Sequence, residues 1–99
     1  MIARHWRGVA KADRADEYVQ HLLADTLPAI RKLPGFVSAS ILRRSIAGGV
    51  EFVIVTHWAS LEAIRRFAGD DVDAAVVPGV VQDMMVDYDR VVRHFDVVS

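Results

Sequence analysis

Apolar and polar positions change period several times along the chain, and each change predicts an element. From Ile2 to Ala10 the pattern alternates loosely, with Ile2, Trp6 and Val9 apolar and Arg4 and Arg7 charged, which predicts a first strand. From Lys11 to Leu33 the spacing becomes three and four residues. Tyr18, Val19, Leu22, Leu23, Leu27, Ile30 and Leu33 then form a stripe opposite Asp16, Gln20, Asp25 and Arg31, the signature of an amphipathic helix. Pro28 falls inside this stretch and removes the hydrogen bond to the Ala24 carbonyl, so a kink or break is expected there, and Pro34-Gly35 ends the element as a turn.

Phe36 to Ser45 and Val50 to Trp58 read as a second and third strand, joined by a hairpin at Ala47, Gly48 and Gly49, where glycine admits the positive φ such turns need. Ser60 is a candidate N-cap with Glu62 in the first turn, and the second helix is expected over Leu61 to Ala68, stopping at Gly69. Asp70 to Val81 predicts one helical turn before Pro78 and another after it. A long, valine-rich fourth strand is expected from about Met84 to Val98. Strand, helix, strand, strand, helix, strand is the ferredoxin-like α+β arrangement, βαββαβ, with an antiparallel sheet in the order 4-1-3-2 and both helices on one face.

The third strand is apolar on both parities: Phe52, Ile54 and Thr56 on one side, Val53 and Val55 on the other. A sheet wetted on one side alternates more cleanly. Two helices cover one face only, so the opposite face is expected to pack against the same face of a second copy, giving a homodimer. Leaving two such apolar side chains in water costs on the order of 3 to 6 kcal/mol per subunit.

Composition narrows the classes. The 99 residues fit one domain, 1–99, and a hydrophobic fraction of 53% against 25% charged excludes a disordered chain. A net charge of −1 with no basic run argues against nucleic acid as a partner. With no cysteine, disulfides and thiolate-ligated metals are excluded. Arg4, His5 and Arg7 interrupt the N-terminal stretch, and no run of apolar residues reaches membrane-spanning length. A cytoplasmic protein without a membrane partner is therefore the expectation. Asp83, Asp87 and Asp89 read as a solvated edge, and Asp70, Asp71 and Asp73 lack the glycine and closing glutamate of a calcium loop, so no metal site is expected.

Trp58-Ala59-Ser60-Leu61-Glu62-Ala63, followed by Phe67-Ala68-Gly69-Asp70, Ala75-Val76-Val77-Pro78 and Tyr88 to Phe95, resembles the antibiotic biosynthesis monooxygenase family of dimeric α+β barrels over nearly the whole chain. The resemblance implies two sheets packed face to face, with the fourth strand joining the subunits, and an apolar cleft per subunit between sheet and helices. The activity it implies is cofactor-independent oxygenation of an aromatic or polyketide-like phenol or anthrone to a quinone. Such chemistry needs a base, a dry pocket and a flat stacking surface.

Of His5, His21, His57 and His94, the resemblance points to His5 as the base, about where haem-degrading relatives carry a pocket-facing asparagine; by parity, His57 is placed toward the dimer side. Trp58 is either a stacking wall for the ring or a large core residue closing the strand–helix junction, and Ile54, Ile64 and Phe67 keep the cleft dry. Tyr88 is assigned to the dimer seam. By counting from Trp58, the tryptophan and iron-ligating histidine of the haem-degrading branch fall at Phe67 and Val77. Val77 cannot ligate iron, which argues against a haem cofactor. Two other classes remain open: a non-catalytic, stress-associated dimer binding a small apolar molecule, and a cyclase or isomerase using proton transfer without oxygen.

Overall fold

A computed structural model describes all 99 residues. Strand β1 (Ile2–Ala10) leads into a helical run made of a short 3-10 turn, α1 (Ala15–His21), a π-helical stretch over Leu22–Thr26, and α2 (Leu27–Ile30). Then follow β2 (Phe36–Ile46), β3 (Gly49–Trp58), α3 (Leu61–Ala68), α4 (Gly79–Gln82), β4 (Met85–Tyr88) and β5 (Arg93–Asp96). The sheet has the order β2-β3-β1-β4, with β5 also paired to β1, and every pairing is antiparallel. This is the expected α+β fold.

Pro28 neither breaks nor ends the first helical run. The lost bond is absorbed by the π stretch just before it, where Leu27 N–H reaches back five residues to the Leu22 carbonyl. Pro28 then sits in the first turn of α2, where its missing N–H matters least. The β2–β3 hairpin turns on Gly48, whose φ of 88° suits glycine. Ser60 caps α3 as expected, its hydroxyl accepting from Ala63 N–H at 3.2 Å.

Two expectations require correction. The fourth strand is not continuous: β4 and β5 are separated at Asp89–Val92, because residues 73–75 pair there instead. Val92 N–H donates to the Asp73 carbonyl at 2.8 Å, Ala75 N–H to the Arg90 carbonyl at 2.9 Å, and Ala74 bridges Val91. The helical turn expected before Pro78 is absent. Residues 70–78 form a strap, tied to the β4–β5 break, and only the turn after Pro78 is helical.

The core lies on one face of the sheet. Ala15, Tyr18 and Leu22 pack with Phe52 near one end, and Leu27, Ile30, Ala63 and Ile64 with Trp58 near the other. In β1 the residues on that face are Arg4, Trp6, Gly8 and Ala10, set opposite Thr56, Ile54, Phe52 and Val50. The alternate residues, His5, Arg7 and Val9, face away with Val55, Val53 and Glu51.

Candidate active site

Between the two core clusters the helical run and the strap stand off the sheet and leave a cavity of about 430 Å³. Its floor is Trp6, Ile54 and Thr56 from the sheet. One wall comes from Tyr18, His21, Leu22, Asp25 and Thr26, another from Val76, Val77 and Pro78 of the strap, with Phe67 from α3. Thirteen of its twenty lining residues are hydrophobic, so the few polar groups present carry the chemistry.

Trp6 lies flat because Gly8, two residues on along the same strand face, has no side chain: a Cβ there would collide with the indole ring. The indole Nε1–H donates to the Asp89 carbonyl at 2.9 Å, which fixes the ring in the floor. Tyr18 meets Phe52 edge-on at 4.9 Å between ring centroids. No side-chain nitrogen or oxygen in the molecule is both sealed from solvent and unbonded, and the Tyr18 hydroxyl has no protein partner, so it opens onto the cavity it lines. Burial pushes its pKa well above the ordinary tyrosine range, which keeps it a neutral O–H donor.

His21 closes α1 and is the one histidine lining the cavity. Its Nδ1 lies 3.3 Å from Oδ2 of Asp25, one turn further along the run. A carboxylate at that nitrogen favours the proton on Nδ1 and leaves Nε2 with its lone pair, the arrangement a general base requires.

Arg4 is the other built polar element. It is 4% exposed and lines the cavity, with its guanidinium 5.5 Å from the Phe67 ring centroid. Nη1 donates to the Val72 carbonyl and sits 3.0 Å from Nε2 of His94, and Nη2 donates to the Ala74 carbonyl at 2.8 Å. His94 in turn places Nδ1 3.1 Å from Asp73. The strap is thus latched to β1 and β5. Burial lowers the Arg4 pKa to about 10, partly offset by Asp73, and the group remains cationic at neutral pH.

The residues singled out from the sequence fall in three places. Ile54 and Phe67 line the cavity. Trp58 and Ile64 are wholly buried behind it: Trp58 stacks on the hidden side of the site against Phe67 at 5.8 Å, meets Phe36 edge-on, and donates to the Thr56 hydroxyl at 2.8 Å. For Trp58 the geometry is that of the core residue, not of a surface open to a ligand. His5 is on the opposite face of the sheet, edge-on to Phe95 at 5.0 Å, and cannot reach the cavity of its own chain. Strand parity is the reason, since Arg4 and Trp6 occupy the helix-covered side. His57 also faces away, 3.3 Å from the Ser38 hydroxyl. Asp83, Asp87 and Asp89 join no cluster of three groups suited to a metal ion. In the sequence Tyr18 reads as part of the apolar stripe and Asp25 as part of the polar side opposite it, with His21 on neither. Their i, i+3 and i, i+7 spacing places them on one helix face, but nothing local says that this face opens onto a cavity.

A ferredoxin-like α+β sheet carrying an apolar cavity under its helices defines the class of protein, and the comparisons with known proteins make it specific. The antibiotic biosynthesis monooxygenase profile matches residues 1–75, and the chain belongs to that family. The fold is similar to that of SnoaB, a cofactor-independent oxygenase from Streptomyces nogalater, in its N63A mutant form; the TM-score is 0.69 at 17% identity, covering 99% of this chain and 93% of that one. It is also similar to the ActVA-Orf6 monooxygenase of Streptomyces coelicolor in complex with nanaomycin D, with a TM-score of 0.66 at 20% identity, covering 99% and 87%. The haem-degrader MhuD of Mycobacterium tuberculosis, with two haems bound, gives 0.61 at 20%, covering 100% and 97%. These likenesses establish the fold. No curated protein matches the sequence. No helix is long and apolar enough to cross a membrane.

Proposed function

We propose that the protein is a cofactor-independent monooxygenase that oxidises an aromatic, polyketide-like phenol or anthrone to a quinone. The observation that carries the reading is His21, held against Asp25 in a mostly apolar cavity whose floor includes an indole ring. In this reaction His21 Nε2 takes a proton from the activated ring carbon or phenol. The resulting anion passes an electron to dioxygen, and the two radicals join as a peroxide. Loss of the proton that remains on the oxygenated carbon then cleaves the O–O bond. One oxygen stays as the new carbonyl and the other leaves as water, so the CH2 group of an anthrone, or the O–H and ring C–H of a phenol, supply the two hydrogens of the water. Tyr18 O–H donates to the substrate oxygen on which negative charge develops, and Trp6 and Phe67 supply the flat apolar surfaces.

A haem-based reading has less behind it. The positions that the resemblance assigns to the tryptophan and iron ligand of haem-degrading relatives are Phe67 and Val77, and both present only carbon to the cavity. His94 engages Arg4 and Asp73 through its two ring nitrogens, leaving neither for a metal.

The working unit in this proposal is a homodimer joined through the outer face of the sheet. Leu42 is 54% exposed and Phe95 49% exposed on that side, next to half-buried Val53 and Val55, an apolar strip that a second copy would cover.

The test is dioxygen uptake with a panel of anthrones and polycyclic phenols. One O2 consumed per quinone formed from an anthrone is the expected result. Tight binding of the panel without uptake would leave a binding protein or an isomerase in its place.

A further inference from the structure

Arg4 is a buried cation with no carboxylate of its own. Its partners are two peptide carbonyls and a ring nitrogen, and Asp73 reaches it only through His94. Three of its five N–H groups are used in these contacts, which leaves Nε–H and one Nη2–H free. Since no side-chain nitrogen is both sealed and unbonded, the free Nε–H is accessible, and Arg4 is one of the residues that line the cavity. Burying an unpaired charge among apolar groups is costly unless something compensates for it. Around the cavity the charges are unbalanced in the same sense. Arg4 and Arg66 line it against the single acid Asp25, although the chain as a whole carries −1.

We infer that the ligand of this cavity is an aromatic acid, whose carboxylate pairs with the unspent donors of Arg4 while its rings lie on Trp6 and Phe67. This rests on the aromatic reading given above and narrows it. The carboxylate also sets the register of the ring system, holding one end at Arg4 so that the reacting carbon is presented toward His21.

The probes are anthracene carboxylate and the matching neutral anthracene carboxamide, titrated by fluorescence into the intact protein at neutral pH. The carboxylate is expected to bind about tenfold to a hundredfold tighter, as hydrogen bonds to a buried charge require. That preference is lost in Arg4→Met and survives in Arg65→Met, an exposed arginine of α3 that pairs with Glu62 and lies outside the cavity lining. Arg4→Lys, which retains the charge without the fork, keeps part of it. If removing Arg4 frees the strap and the variant does not fold, the wild-type pair of probes decides alone. Equal affinity for acid and amide would overturn the inference while leaving an aromatic cavity standing. Binding of neither probe would overturn the aromatic reading and the inference with it.

Discussion

On the helix-covered face of β3, Phe52 and Trp58 are wholly enclosed, and the one opening among them is the cavity. One residue along the same strand, on the other face, Val53 and Val55 remain half open, and Glu51 is covered by Arg7 and Arg44 rather than by carbon. The two faces share a backbone and nearly the same apolar content, yet one is a packed interior and the other is an ion-paired surface with an apolar strip. Apolar composition alone does not make a core. Elements stacked above the strand do, and the helical run and α3 lie on one side only.

The contrast breaks most sharply in stability. Phe52→Ala is expected to cost about 3 to 5 kcal/mol, against about 1 kcal/mol for Val53→Ala beside it, read from urea unfolding at fixed protein concentration. Similar losses at both positions would mean that the outer face is packed as tightly as the inner. Activity separates the faces next. His21→Gln should slow dioxygen uptake by about a hundredfold, whereas His5→Gln, on the far side, stays within about twofold. The reverse order would return the base to His5 and require the site to lie between subunits.

Smaller effects probe the outer face itself. Leu42→Glu puts a charge into the apolar strip and should weaken self-association about tenfold or more by sedimentation, with aromatic probe binding unchanged. An unaltered dimer would place the contact elsewhere. Last is the pH dependence of Glu51, whose carboxyl is held below the usual range by hydrogen bonds from Arg44 and Arg7. A carboxyl depressed in the folded state adds stability above the unfolded carboxylate range, near pH 4, and that stability is lost as pH falls through the folded value. Glu51→Gln should therefore lower the Tm modestly at pH 7. The gap from wild type should close as the solution is acidified below about pH 4. A gap independent of pH would make Glu51 a packing residue.

Much of the fold was legible because its signals are local. The strand and helix limits at Ile2–Ala10 and Leu61–Ala68, the Ser60 cap and the Gly48 turn follow from spacing and turn chemistry within a few residues of each site. The run from Met84 to Val98 misled for the opposite reason. Valine favours a strand but does not reveal that the strap takes the pairing positions around Val91 and Val92. At Pro28 the expectation is a kink or a break, because the compensating π stretch depends on Leu22 and Leu27 staying docked in their core clusters.

The sequence by itself determined the element order from β1 to α3, the sheet topology and the two-sided apolarity of β3, since periodicity is set by neighbours along the chain. Which histidine serves the cavity, and that Arg4 rather than His5 faces it, was decided by tertiary structure. Both parities of β1 mix charge with apolar residues, so only its register against β3 and the placement of the helical run over one face distinguish inside from outside. The physical reason is that a cavity is a gap between elements. Its chemistry is assembled from α1, the strap, β1 and α3, which no local pattern brings together.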